Sequence, residues 1–303
     1  GPTSDGATGA TTGSSDATTT SGAATDSDAT TATTEGPALA DRLLMIDNGL
    51  NRLILLDPGG GPVWITDIPS GARDLQLLPD DRALVSHGGG ALEVSLSDGA
   101  IGWMIDDHQD IQTARRLDDG VTTLLGANAG PGVVFSYVDG DGAVQDTLEI
   151  SGVTELRLAR VLEGGNILFT AGLPWMAMEV NPAGETVWKA ILPGKGYLAE
   201  RLPNGNTLAT TGDAVTVLEL DEGGEVVNTL GGKQSFPDIG LDWFSGFTTL
   251  SSGDVVAANW LGHDKWGTGP HLVQFTPDNA LAWSWEDHEL AMQVTNVLAV
   301  PAD

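Results

Sequence analysis

A polar turn between two short apolar runs recurs along this chain. It reads "RLPNGNTLATTG" from Arg201, with Pro203-Asn204-Gly205-Asn206 at its centre. Versions of it start at Leu77 ("LLPDDRALVSHG"), Arg116 ("RLDDGVTTLLGA"), Val161 ("VLEGGNILFTAG") and Thr249 ("TLSSGDVVAANW"). Gly, Asn and Asp turns between β-forming runs are the strongest short-range sign of a hairpin. Five copies at intervals of roughly 40–48 residues make this a repeat architecture.

A second hairpin alternates with the first. It reads "RLILLDPGGGPVW" from Arg52, and related stretches begin at Ala91, Val133, Met176, Val215 and His271. Trp64, Trp103, Trp188 and Trp283 open its last strand in four of these six copies, placed to pack between neighbouring units. The sixth copy of the first hairpin is divided between the ends. "NVLAVPAD", residues 296–303, followed in space by "DRLLMIDNG", residues 41–49, restores it. Six units of four strands predict an all-β, six-bladed β-propeller with four-stranded blades, closed by pairing of the N- and C-terminal strands. The expected blades 1–5 are residues 72–105, 112–149, 154–191, 197–230 and 244–285; blade 6 combines 293–303 with 41–67. Helix is nearly absent, because no stretch sustains a 3.6-residue apolar period.

The two predicted regions are a linker or stalk at 1–40 and the propeller at 41–303. The first is mostly Thr, Ser, Ala, Gly and Asp with no aromatic, Lys or Arg residue, a composition expected to be disordered and suited to O-glycosylation. It resembles the spacer of a bacterial lipoprotein. That resemblance implies a secreted or cell-surface bacterial protein with a lipid anchor upstream of residue 1. Gly1-Pro2 fits either a tag scar or a mature N-terminus.

The net charge is −29. Phosphate binding needs clustered Lys and Arg, so nucleic acid is excluded as a partner and anionic membranes are disfavoured. The absence of cysteine excludes disulfides, thiolate metal sites and cysteine nucleophiles. No apolar run of 18 residues is present to span a membrane.

Calling the strands of a blade A to D from axis to rim, the tight A–B and C–D turns share one face. The longer B–C and D–A connections share the other, the expected ligand face. Two insertions meet there: the B–C loop 259–269 of blade 5 and the D–A connection 230–245 before it. Phe236, Trp243, Trp260 and Trp266 beside His263 and Lys265 are the expected ligand-binding residues, for a glycan, peptide or protein.

All five histidines map to this face. His87 and His263 are placed in B–C loops, His271 opens a C strand, and His108 and His288 occupy equivalent D–A positions. His108, His263 and His288 are candidate catalytic groups if they converge at the axis. Asp106, Asp107 and Asp110, with His108, are candidate ligands for a divalent cation such as calcium. No D-x-D-x-D-G loop accompanies them. No G-x-S-x-G, P-loop or H-E-x-x-H motif occurs, and no other cofactor is expected.

"RLPNGNTL" followed by "LELDEGGEVV", and "MEVNPAGETVW", resemble blades of the arylsulfotransferase-like and quinoprotein-like propellers of secreted bacterial proteins, over residues 42–303. The resemblance implies a histidine that carries sulfate at the axial channel, assisted by His, Arg and Asn residues. By location, His108, His263 and His288 are candidates for the first role, and Lys233, Lys265, Arg73 and Arg115 for holding the sulfate. A quinone cofactor would imply eight blades, whereas the count here is six. The expected function is a non-catalytic binding or assembly module. The alternatives are a group-transfer enzyme and a self-associating subunit of an extracellular fibre whose Thr-rich tail docks on a neighbour.

Overall fold

The structure, a computed structural model, describes Ala32, Thr33 and residues 39–301. Six antiparallel four-stranded sheets form the blades of a β-propeller. The inner strands of blades 1–5 are Leu75–Leu78, Ile111–Arg116, Thr154–Val161, Ala199–Arg201 and Phe244–Thr249. Their outer strands are Ile101–Ile105, Val144–Ser151, Thr186–Ile191, Val226–Gly231 and Leu281–Glu286. His87 ends the second strand of blade 1, Arg82–His87, one step short of the loop the sequence assigned it.

Blade 6 seals the ring as the split repeat predicts. Its inner strand, Val294–Val300, pairs with Arg42–Asp47, with Leu44 opposite Leu298 and Met45 opposite Val297. The buried Asp47 carboxylate clasps the seam, accepting hydrogen bonds from the backbone N–H groups of Gly49, Met292 and Gln293. Beside it, Asp41 accepts from the backbone N–H and hydroxyl of Ser251 in blade 5. Ala32–Thr33 adds a short fifth strand to the rim of blade 5, opposite Glu286 and Trp285. The remainder of the stalk predicted over residues 1–40 lies outside the described residues, apart from Leu39 and Ala40.

The recurring letters of the sequence are turn chemistry. In the A–B turns a Gly N–H donates to the carbonyl three residues back: Gly120 to Leu117, Gly165 to Leu162, Gly205 to Leu202 and Gly253 to Leu250. Gly205 has φ of 90°, a conformation that glycine adopts without steric cost. In the C–D turns Asp57, Asp139, Asn181 and Asp221 each turn a side-chain oxygen onto backbone N–H groups two and four residues ahead. Asp and Asn are favoured at such positions for this bond.

The core is a set of six apolar layers, one at each blade interface. Leu44 and Leu53 of blade 6 pack with Leu75 and Val85 of blade 1, and Phe135 of blade 2 with Phe169 of blade 3. The rim tryptophans stitch these layers. Trp64, Trp103 and Trp188 donate Nε1–H to the carbonyls of Leu96, Gly140 and Glu222, each in the C–D turn of the next blade, at 2.9–3.1 Å. Blade 5 departs from the expectation: Trp283 is buried in the interface, and Trp285 makes the equivalent bond, to Gly60. The outer strand of one blade therefore crosses the C–D turn of its neighbour, as right-handed strand twist requires.

Candidate functional site

That twist decides what each D–A connection can deliver. A connection begins at the rim, over the seam between blades, and only its final residues reach the axis. Arg73, Lys195, Tyr197 and Trp243 all stand just ahead of an inner strand. Together with Arg157, Thr295, Asn48, Asp213, Trp260 and His263 they line a cavity of about 270 Å3 on the face of the long connections. Five of the six blades contribute.

One wall is a run of rings. Tyr197 meets Trp243 edge-on at 5.5 Å, Trp243 meets Trp260 at 5.8 Å, and Trp260 meets His263 at 4.7 Å between centroids. Two glycines make room for them. A Cβ at Gly212 would lie 2.7 Å from the Trp243 ring, and one at Gly262 would lie 2.1 Å from the Trp260 ring. Either substitution forces the wall to move. Backbone strain lies at His263 and within two residues of two other lining residues. Among the described residues nine non-glycine positions have positive φ, and six are Asn or Asp. The other three are Glu155, next to Arg157; Val215, next to the Asp213 turn; and His263 itself. A β-branched residue there is a true outlier, and such strain gathers at functional sites.

The lining is rich in donors and short of partners. Arg73, Arg157 and Lys195 are three of the thirteen Lys and Arg residues in a chain of net charge −29. Among the described residues Arg73 and Lys195 enter no ion pair, and Arg157 has only a long contact of 3.8 Å to Glu155. Twelve solvent-shielded side-chain atoms of the described residues meet no hydrogen-bond partner in the protein. Four of the twelve, Arg157 Nε, Tyr197 Oη, Trp260 Nε1 and Thr295 Oγ1, belong to this one lining. Tyr197 is 2% exposed and Thr295 is 4% exposed. Leaving a buried polar group unpaired costs about 1–3 kcal/mol, and four of them gathered on one cavity lining offer another molecule several bonds to complete.

The predicted site residues divide. Trp243, Trp260 and His263 come together at the cavity. Phe236 turns away and packs on the Phe275 ring at 5.2 Å. Lys265 and Trp266 are exposed and outside the lining. His108 stays over the seam, with a ring nitrogen 3.1 Å from Gly142 O and 3.4 Å from Asp107. His288 sits with its ring 4.8 Å from that of His271. His263 is thus the one member of the candidate trio that reaches the cavity. Asp106, Asp107 and Asp110 are likewise spread. Asp110 accepts from the Gln112 amide, and among the described residues no three His, Asp or Glu side chains are arranged to hold a metal ion.

Two histidines are tuned by burial. Desolvation lowers the pKa of His87, against the pull of the Ile105 backbone and Asp106. His271 is fully buried, and desolvation, with His288 adding to it, brings its pKa down to about 4 against the opposing charge of Asp287. Both stay neutral at pH 7.

Deeper on the axis the charges are matched. Asp74, fully buried, accepts hydrogen bonds from Thr113 Oγ1, from the backbone of Leu75 and from Arg160, at 2.9 Å for the last. Arg160 also reaches Glu200 at 3.0 Å, and Arg115 lies 3.7 Å from Asp74. Burial works against the charge of Arg160, yet Asp74 and Glu200 together raise its pKa. For Arg115, burial dominates, Arg160 adds to it, and the pKa falls to about 10. Arg115, expected near the ligand face, instead opens toward a second hollow of about 480 Å3 on the tight-turn side. Lys233 is at the surface, 3.9 Å from Asp242.

No family model matches the chain, and no curated protein matches it. Solved structures do. A protein of unknown function from Bacteroides caccae aligns at TM-score 0.72 and 22% identity, over 87% of this chain and all of that one. A nidogen/laminin complex aligns at 0.62 and 12%, over 86% and 98%. A streptogramin B lyase aligns at 0.54 and 11%, over 85% and 87%. At these identities the likeness is one of fold.

Proposed function

We propose that this propeller is a binding module whose axial cavity, on the face of the long connections, takes a small molecule or the end of a larger one. The reading rests on one observation: four of the orphaned buried polar atoms belong to the ten residues that line this cavity. Rigid blades hold the lining, so binding needs little reorganisation and loses little to ordering. The stalk composition supports the same module working outside the cell, tethered at its N-terminal side; no helix among the described residues is long and apolar enough to cross a membrane.

A fragment screen by ligand-observed NMR tests the reading. Asn48→Trp is the control, because Asn48 lines the cavity and is partly exposed, so a bulky side chain there is expected to occupy the space. Fragments are expected to bind the wild type and to be lost from the variant. If no fragment discriminates the two, the cavity is not a binding site.

His263 favours a second reading, an enzyme. It is the imidazole on the cavity wall, and the lyase alignments include a catalytically inactive variant of virginiamycin B lyase from Staphylococcus aureus with quinupristin. A lyase or a sulfuryl-transferring enzyme on this scaffold would use His263 as base or nucleophile, with Lys195 or Arg73 facing the developing charge. Among the described residues, however, no carboxylate orients the His263 ring, and the binding reading stands first. Release of phenol from phenyl sulfate by the wild type, abolished in His263→Ala, would reverse that order.

A further inference from the structure

Resting on the binding reading, we infer that the ligand is an organic carboxylate, with its acid group between Arg73, Arg157 and Lys195 and a ring against Trp243 and Trp260. Three observations converge. The first is charge. A chain of net charge −29 repels anions at long range, yet this cavity gathers three cations against the one carboxylate of Asp213. Arg82, Arg116, Arg160 and Arg201 are all matched to carboxylates in the fold; Arg73 and Lys195, half-buried, are not. Half-buried cations that no carboxylate of the fold engages are free to take an anion from outside.

The second is the sense of the hydrogen bonds. Arg157 Nε and Trp260 Nε1 can only donate, and the Tyr197 and Thr295 hydroxyls have donors to give. The complement is an acceptor-rich group. A planar carboxylate matches the guanidinium fork of Arg73 or Arg157 bidentately. A single negative charge balances the lining, in which Asp213 and the long contact of Arg157 with Glu155 already offset part of the three cations.

The third is shape. The cavity, at about 270 Å3, lies just below the usual size of drug-sized ligand pockets and has a wall of edge-on rings. One ring fits beside that wall. It is either aromatic or a sugar ring whose C–H face lies on tryptophan.

Isothermal titration calorimetry with the full chain separates the possibilities, using benzoate, glucuronate, phenyl sulfate and uncharged benzyl alcohol as probes. At least one of the two carboxylates is expected to bind saturably, and the tighter one assigns the ring. Arg73→Gln and Lys195→Gln are each expected to weaken that binding about tenfold, the loss of one charge-assisted bond. Their thermal midpoints should stay at the wild-type value, since neither side chain has an ion-pair partner to lose. Benzyl alcohol binding as tightly as benzoate, indifferent to Arg73→Gln, overturns the carboxylate and leaves the binding module intact. Phenyl sulfate binding while both carboxylates fail also overturns it, in favour of another anion. No response to any probe overturns it as well, and the Asn48→Trp fragment screen then decides separately whether the cavity binds anything.

Discussion

The two ends of the propeller axis hold their cations in opposite states. Toward the tight turns, Arg115 and Arg160 share Asp74, and Arg160 adds Glu200. Toward the long connections, Arg73 and Lys195 line a cavity whose one carboxylate, Asp213, pairs with neither of them. The chain has 42 acidic residues, so matching every cation was easily available. A matched cation ties strands together and belongs to the fold. An unmatched one, half-buried and grouped with orphaned donors, is held ready for something that arrives.

The contrast breaks first, and hardest, at Asp74. Asp74→Ala leaves Arg115 and Arg160 with only Glu200 between them, inside the ring. Removing one partner of a buried charge set costs about 3–5 kcal/mol, and urea unfolding should show a loss of that order. An unfolding midpoint equal to wild type would mean that the matched end contributes nothing to stability.

His271 sharpens the contrast with a third state, a buried basic group that carries no charge at neutral pH. Its folded pKa, about 4, lies below the free value of 6.5. Above pH 6.5 the ring is neutral in folded and unfolded chains alike. As pH falls toward 4, the unfolded chain takes up a proton that the folded chain refuses. Stability is therefore lost through that window, by roughly 3 kcal/mol. The wild-type stability minus that of His271→Gln should fall between pH 7 and pH 4.5; a difference that stays constant with pH would show that His271 titrates freely.

A smaller effect belongs to the rim. Trp188→Phe keeps a ring beneath the Arg201 guanidinium, 4.8 Å away, and removes only the bond to Glu222 O. Destabilisation of about 1 kcal/mol is expected, measurable by calorimetry. Smallest of all is Arg73→Gln without ligand, expected within about 0.5 kcal/mol of wild type. A large loss there would erase the distinction between the two ends.

Much of this architecture is written in local chemistry. Leu202 to Gly205 and its counterparts must be turns because a Gly N–H closes each on a Leu carbonyl, and such bonds recur at the period of a blade. The closure was legible because the split repeat leaves two half-hairpins that fit only each other. Trp243, Trp260 and His263 were legible because insertions announce themselves against a regular repeat. Arg157, Lys195 and Tyr197 were not: each is a lone residue in or just ahead of an inner strand, with nothing in its spacing to set it apart. Arg115 and Arg116 show how fine the distinction is, since neighbours on a strand face opposite ways and send Arg115 to the axis and Arg116 back to Glu93 and Trp103 of the preceding blade. His108 and His288 share the face of the long connections with the cavity but lie outside its lining. Strand twist separates the rim end of a connection from its axial end, and no one-dimensional pattern records it.

The clasp at Asp47 has a kinetic consequence. Its carboxylate holds Met292 and Gln293, which lie 245 and 246 positions further along the chain. Joining groups so remote is slow, because the entropy of closing the intervening loop is lost before any contact compensates it. Five blades can assemble from near neighbours while the sixth waits, its strand edges bare and open to the wrong partner. The ring should therefore mature in two phases, quick accretion and tardy locking, and crowding during the second is when molecules of this protein would entangle.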